Sequence, residues 1–469
     1  MSENLFWTTL AREAGGTGLK EIQEIEFLVS EIKPDATTDD KARCLRECLS
    51  KETVTNKETR YLLIGLLQKE RITRLAEISG IQVDSLLDSG YELRDTERKR
   101  LEDILYSGTN TYDGSPSEKY RPPSKLEFGY NLFSHQEKMA KRIIEHTLGS
   151  RTGCIVHMPT GSGKTRTAMW TICKLITTHN KRCCWITYNK TLITQAVSEF
   201  EKAWSYKGDG SCNIGYLTGE WESESIEDSD MVFASFGKLS IDARTDQRKI
   251  ISNIAANADV LFIDEAHEAQ AEGRGIALRA ITFLNSNVKI VGLTATPGKS
   301  PDGYNDSDYE LAEHFEDNKF LLEVEGYENP ISYLLDAGYL AIPRYFRIEN
   351  HWGSDTLEEV SAITEMVIAS SRKHKRIVVF CSSVRVSRLC ASLCSIGGVT
   401  CFHLDGSTPE PERAEIRDIF NSKNDESDCA VLFNCNVLAT GFDAPKTTLV
   451  LIFRKVVSVS YTHLTLPTI

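Results

Sequence analysis

The segment that most limits how this chain can fold is His157-Met158-Pro159-Thr160-Gly161-Ser162-Gly163-Lys164-Thr165. An apolar run over residues 154–158 leads into it, and a helical pattern over 168–176 follows. A strand, a glycine turn and a helix in that order form a cradle for phosphate. The glycines let the backbone wrap closely, so successive N–H groups and the helix N-terminus point at phosphate oxygens. Thr160, Gly161, Ser162 and Gly163 would supply the cradle. Lys164 would reach the β and γ phosphates, and the Thr165 hydroxyl would ligate Mg²⁺. The first glycine of G-x-x-x-x-G-K-[ST] is absent, since Met158 stands there.

Such a cradle needs a parallel sheet around it, and the surrounding pattern supplies one. Short apolar runs at 183–187, 231–234, 260–263 and 289–293 alternate with helical segments, as strands buried on both faces do. A second series, at 377–381, 399–404, 430–434 and 449–453, follows a break near 338–343. Two tandem α/β lobes is the economical reading. The run Val260-Leu261-Phe262-Ile263 ends in Asp264-Glu265-Ala266-His267, which places two carboxylates at the carboxyl edge of the sheet. Asp264 would hold Mg²⁺, and Glu265 would orient and deprotonate an attacking water. Paired with the glycine loop, this constellation specifies nucleoside triphosphate hydrolysis.

Residues 1–125 have a different texture, helical and charged. Leu62, Leu63, Leu66, Leu67, Ile72, Leu75 and Ile78 recur at three- and four-residue spacing. Residues 71–81 have the look of a helix-turn-helix start, but Asp84 and Asp88 would face phosphates badly, so an αα-hairpin is expected. Residues 107–125 read as a linker. With 54 Lys+Arg against 67 Asp+Glu the net charge is −13, which excludes a globally basic coat but leaves room for a basic groove. Thirteen cysteines, none in a C-x-x-C pair, read as buried thiols rather than zinc ligands. No apolar stretch approaches the roughly 18–20 residues of a bilayer span, so a cytoplasmic chain without a membrane partner is expected.

Taken in order, these motifs resemble superfamily 2 helicases and translocases of the DEAH type, nearest the XPB-like motors and the motor subunits of type I and III restriction enzymes. The resemblance spans about residues 126–457. Phe133-Ser134-His135-Gln136 is similar to the family's adenine-reading element. Tyr188-Asn189-Lys190-Thr191-Leu192 resembles a segment that tracks nucleic-acid backbone, and Phe233-Ala234-Ser235-Phe236 stands where a second such contact lies. Leu293-Thr294-Ala295-Thr296-Pro297 is close to the motif that couples hydrolysis to strand binding. In the second lobe, 379–383, His403-Leu404-Asp405-Gly406-Ser407-Thr408 with Arg413, and 437–445 resemble successive family elements.

The resemblance implies two RecA-like P-loop lobes behind a helical N-terminal domain, with ATP and Mg²⁺ bound between the lobes. It implies catalytic duty for Asp264, Glu265 and His267, adenine recognition by Gln136, and coupling through Thr294, Thr296, Gly441 and Asp443. Asn189, Lys190, Thr191 and Ser235 would contact nucleic acid. The implied activity is a nucleic-acid-dependent ATPase acting as a DNA helicase or translocase, the alternatives being an RNA remodeller or a nucleotide-gated scaffold. The boundaries read 1–125 for the accessory domain, 126–343 and 344–458 for the lobes. The N-terminal region could recruit a nuclease, a methylase or a specific DNA structure, and nothing in its sequence says which.

The last segment departs from the family. Its pattern has Q-x-x-G-R-x-x-R beyond the strand at 449–453, carrying an arginine finger worth on the order of 10³–10⁵ in rate. Here no Gly-Arg follows Phe453, and the second lobe reads as truncated, with hydrolysis expected to be impaired. The string GTC-TCT-TAT-ACA-CAT-CTG-ACG-CTG-CCG-ACG, which resembles a transposase sequencing adapter, would translate to residues 459–468. Residues 459–469 are accordingly expected to be a non-native tail.

Overall fold

The computed structural model describes residues 4–13, 19–49, 51–106, 119–120, 130–188, 190–219, 221–223, 225–266, 274–295, 315, 318–342, 344, 346–348, 353, 356–408, 410–421, 429–435, 438, 444 and 446–454. The chain divides into two compact units.

The unit that holds residues 113–344 is built on an eight-stranded sheet. Its strands are β1 (Lys119–Tyr120), β2 (Gly153–His157), β3 (Cys183–Thr187), β4 (Cys212–Leu217), β5 (Met231–Ser235), β6 (Val260–Ile263), β7 (Lys289–Thr294) and β8 (Lys319–Leu321). They lie in the order β1-β4-β5-β3-β6-β7-β2-β8, and all pairs but β1 with β4 are parallel. The predicted apolar runs became the central strands because helices cover both faces and no side chain of β3 or β6 reaches water. One face packs Trp185, Phe200, Phe233 and Phe262; the other packs Ile186, Ala234, Leu261 and Ile263. β4 and β8 were not foreseen. β4 carries an exposed Asn213, and β8 is three residues long with two exposed ones, so neither shows the continuous apolar run of a central strand.

The other unit joins residues 1–112 to 345–438 and 444–455. Its sheet has β9 (Arg376–Phe380), β10 (Thr400–Leu404), β11 (Ala430–Asn434) and β12 (Leu449–Ile452) in the order β10-β11-β9-β12, all parallel. Two RecA-like α/β lobes and a helical N-terminal region are therefore present.

The N-terminal helices share one core with the second lobe, which no local pattern in the sequence marks. Leu28 and Val29 of helix Lys20–Ile32 and Leu45 of helix Thr38–Cys48 are buried in the same cluster as Ile363, Leu389 and Cys390. Polar contacts seal the join. Glu24 pairs with Arg385, and the Cys48 thiol donates to the Arg388 carbonyl at 3.8 Å.

The stretch at 71–81 lies in helix Lys69–Ser79, which Gly80 ends in the left-handed conformation (φ 71°). The next helix, Val83–Leu86, is a single turn, too short to read a groove. Every cysteine is reduced, and ten of the thirteen are buried, as expected. Among the described residues no helix is long and apolar enough to cross a membrane. The expected tail, 459–469, lies outside the described residues.

Candidate nucleotide site

β2 delivers the chain to the glycine loop, and the loop is tied down on every side. The Met158 N–H donates to the Thr294 carbonyl at 3.1 Å, carrying the β2–β7 ladder past its last rung. Ser162 folds back on Pro159, its hydroxyl donating to that carbonyl at 2.6 Å. Gly161 and Gly163 take φ of 78° and 82°, and the helix Lys164–His179 starts at the next residue. Only glycine enters that region without strain, and at Gly163 space is short as well. A Cβ there would sit 2.0 Å from Gln136 Nε2.

Helix Ser134–Leu148 holds the loop from outside. Gln136 is buried; its Oε1 accepts from the Phe133 N–H at 3.0 Å, and its Nε2 donates to the Ser162 carbonyl at 2.9 Å. The His135 ring reaches the same carbonyl at 3.2 Å through Nε2. Burial pushes its pKa below the usual histidine value, so the ring is neutral at physiological pH. The sequence pattern gives His135 no role. Above it stands an aromatic group that sequence did not assemble. Phe133 and Tyr339 have ring centroids 4.3 Å apart, and Tyr333 flanks His135.

β6 brings the carboxylates beside the loop. The Lys164 ammonium lies 3.0 Å from Glu265 Oε1 and 3.9 Å from Asp264 Oδ1. Burial raises the Asp264 carboxyl to about 6, against the opposing pull of Lys164. For Lys164 burial works the other way, yet the two carboxylates outweigh it and its pKa is raised. The cation therefore stays charged between two acids. Glu265 has φ 48°, a left-handed backbone that a glutamate adopts only at a cost of about 1–2 kcal/mol. Strain of this kind gathers where a side chain must be aimed.

Thr294 ends β7 fully buried, opposite His157. Ser235 caps helix Phe236–Asp242, its hydroxyl accepting from the Lys238 N–H at 3.3 Å. Lys190 and Thr191 open helix Lys190–Lys207, with side chains outside the described set. Asn189, His267, Thr296, Gly441 and Asp443 lie outside the described residues. Gln136, Ser162, Gly163, Lys164, Asp264 and Glu265 thus meet at one sheet edge. In the second lobe, Arg413 closes the 405–408 turn by donating to the Asp405 and Thr408 carbonyls, each at 2.8 Å. Burial opposes ionisation of Asp405, but hydrogen bonds from His403, Ser407 and Arg388 hold its carboxyl far below the usual range.

Among the described residues no cluster of three or more His, Cys, Asp or Glu could cage a metal. One buried carboxylate next to a hydroxyl-bearing loop fits Mg²⁺, which binds through one or two carboxylates plus substrate phosphates.

Residues 129–299 match the family model described as "Type III restriction enzyme, res subunit", and residues 358–463 match "Helicase conserved C-terminal domain". No curated protein matches the sequence. Among solved structures, Mss116p bound to single-stranded RNA and AMP-PNP aligns at 17% identity and TM-score 0.50, over 71% of this chain and 66% of that one. The ATP-dependent Type ISP restriction-modification enzyme LlaBIII bound to DNA aligns at 14% identity and TM-score 0.51, over 81% of this chain and 30% of that one. This chain spans less than two thirds of either protein, and at such identities the likeness is one of fold.

Proposed function

We propose, starting from a chain that belongs to superfamily 2 of the helicases by its two matched domains, that it is a nucleic-acid-dependent ATPase that translocates on or unwinds DNA. The observation that carries this reading is the Lys164 ammonium set 3.0 Å from Glu265 under a glycine loop that a side chain would fill. A cation at that place meets the β and γ phosphates of ATP. A glutamate beside it is placed to take a proton from water. When bound, Mg²⁺ would neutralise phosphate charge, with Thr165 and Asp264 as its protein ligands.

This chain's own residues do the rest. The loop N–H groups grip phosphate, and Gln136 keeps the loop in shape. The Gln136 amide retains one lone pair and one N–H for adenine. The motor is assigned to residues 126–343 and 344–458, with 1–125 as accessory. DNA is favoured over RNA because the first-lobe match is to a restriction-enzyme subunit.

ATP turnover measured with single-stranded DNA, duplex DNA and RNA tests this reading. DNA is expected to stimulate, from a basal rate kept low because no Gly-Arg follows Phe453 to supply the arginine finger. Stronger stimulation by RNA would make the protein an RNA remodeller. ATP binding with no response to any nucleic acid would make it a nucleotide-gated scaffold.

Gly163→Ala tests the cradle separately. The left-handed backbone would cost about 1–2 kcal/mol, and the new Cβ would drive Gln136 off the Ser162 carbonyl. ATP affinity is expected to fall about 10- to 100-fold in a fluorescence titration. An unchanged affinity would remove the loop from the nucleotide site.

A further inference from the structure

We infer that His157 is the positioning residue that ties the phosphate loop to the Thr294–Ala295 segment, and that nucleotide and nucleic-acid binding are coupled through its imidazole. The inference rests on the reading of Lys164 and Glu265 as an ATP site. It adds a residue that the motif pattern leaves without a role.

The geometry begins with the ladder. His157 is the last residue of β2 and pairs with Thr294, the last residue of β7. On its other side, its carbonyl accepts from the Leu322 N–H at 3.1 Å, beside β8. The His157 backbone is therefore fixed from both flanks, and the ring has a rigid base. One more main-chain rung follows, from the Met158 N–H to the Thr294 carbonyl. The main chains then part, as residue 159 turns into the glycine loop and residue 295 leaves the sheet. At that fork the His157 ring supplies the next bond, with Nε2 3.0 Å from the Ala295 carbonyl. A carbonyl accepts, so Nε2 carries the proton, in the neutral ring or in the imidazolium.

The consequence follows from position. Phosphate would press on residues 159–165, directly after His157. The segment that begins at Thr294 resembles the family's link toward bound strand. A side chain anchored in β2 that grips Ala295 forces the two to move as one. Without it, Thr294 would stay tied through the Met158 rung, but the loop could close on nucleotide while residue 295 kept its own conformation. His157 acts through Ala295 rather than on either ligand.

The test is linkage in the full chain. The affinity of a fluorescent non-hydrolysable ATP analogue is measured with and without a saturating single-stranded oligonucleotide. The parent protein is expected to bind the analogue about tenfold more tightly with the oligonucleotide. In His157→Ala that ratio is expected to fall to about one. In His157→Gln, whose Nε2–H reaches a similar place, most of the ratio should return. A ratio in His157→Ala equal to that of the parent overturns the inference. So does His157→Gln behaving as His157→Ala does, which would reduce the residue to packing. A parent protein that does not bind the analogue, or whose affinity ignores every oligonucleotide, overturns the ATPase-motor reading instead, and with it this one.

Discussion

Replacing Glu265 with glutamine is expected to cut ATP turnover by a factor of about 10²–10⁴, the usual share of general acid–base catalysis, with ATP binding kept. Glutamine has the same shape but cannot take a proton from water. The side chain sits at the end of β6 on a left-handed backbone (φ 48°), a strained setting kept for aim rather than for stability. Its oxygen lies 3.0 Å from the Lys164 ammonium, so the carboxylate competes with phosphate for that cation. Removing the charge leaves Lys164 with Asp264 alone, at 3.9 Å. ATP affinity should therefore hold or rise while chemistry fails. Single-turnover hydrolysis with single-stranded DNA present, beside an ATP-binding titration, separates the two effects. Turnover within about threefold of the parent would take Glu265 out of the chemistry.

Most of this site was readable from sequence because its chemistry is written in short, contiguous strings. The loop at 157–165 and the carboxylates at 264–265 each follow an apolar run, and parallel strands must bring such ends to one edge. The supports of the site were not readable, for a physical reason. Gln136 grips a carbonyl 26 residues away, and His157 grips one 138 residues away. No local pattern records a bond of that kind. Phe133 meets Tyr339 only because the chain returns there after the whole sheet is built. The same applies on a larger scale to the N-terminal helices. Their apolar stripe predicts burial, which Leu63, Leu67, Ile72 and Leu75 meet while Leu62 and Ile78 stay exposed, and a stripe does not name its partner. Leu28 and Leu45 could have packed among themselves; instead they share a core with Leu389 of the second lobe.

Arg60 is a residue whose local sequence does not show where it lies, and its removal is expected to cost the fold most. Nothing in Lys57-Glu58-Thr59-Arg60-Tyr61 marks it off from the charges around it. It is fully buried. Its guanidinium donates to the carbonyls of Thr55, Ser85, Leu86, Asp88 and Tyr91 at 2.7 to 3.4 Å, the shortest to Tyr91. These carbonyls include two in the one-turn helix Val83–Leu86 and two in the loop beyond it, segments with few other main-chain partners.

A planar five-donor fork can satisfy such a ring of acceptors, and lysine's single ammonium cannot. Arg60→Met keeps the apolar stem but strands the buried carbonyls of Thr55 and Leu86, each at about 1–3 kcal/mol, and frees three part-buried ones that water can reach in part. A net loss of about 3–5 kcal/mol is expected, the range seen when a buried charged group is removed from its partners. Global melting of a two-unit chain would blur this, so the readout is native-state hydrogen exchange. Amides in 57–65 and 83–106 should lose protection while those of β2, β3 and β6 keep theirs. Arg60→Lys should fall between methionine and the parent. If Arg60→Met exchanges as the parent does, the five bonds contribute nothing net, and the short helix and its loop are held by Leu86 and Leu93 in the core instead.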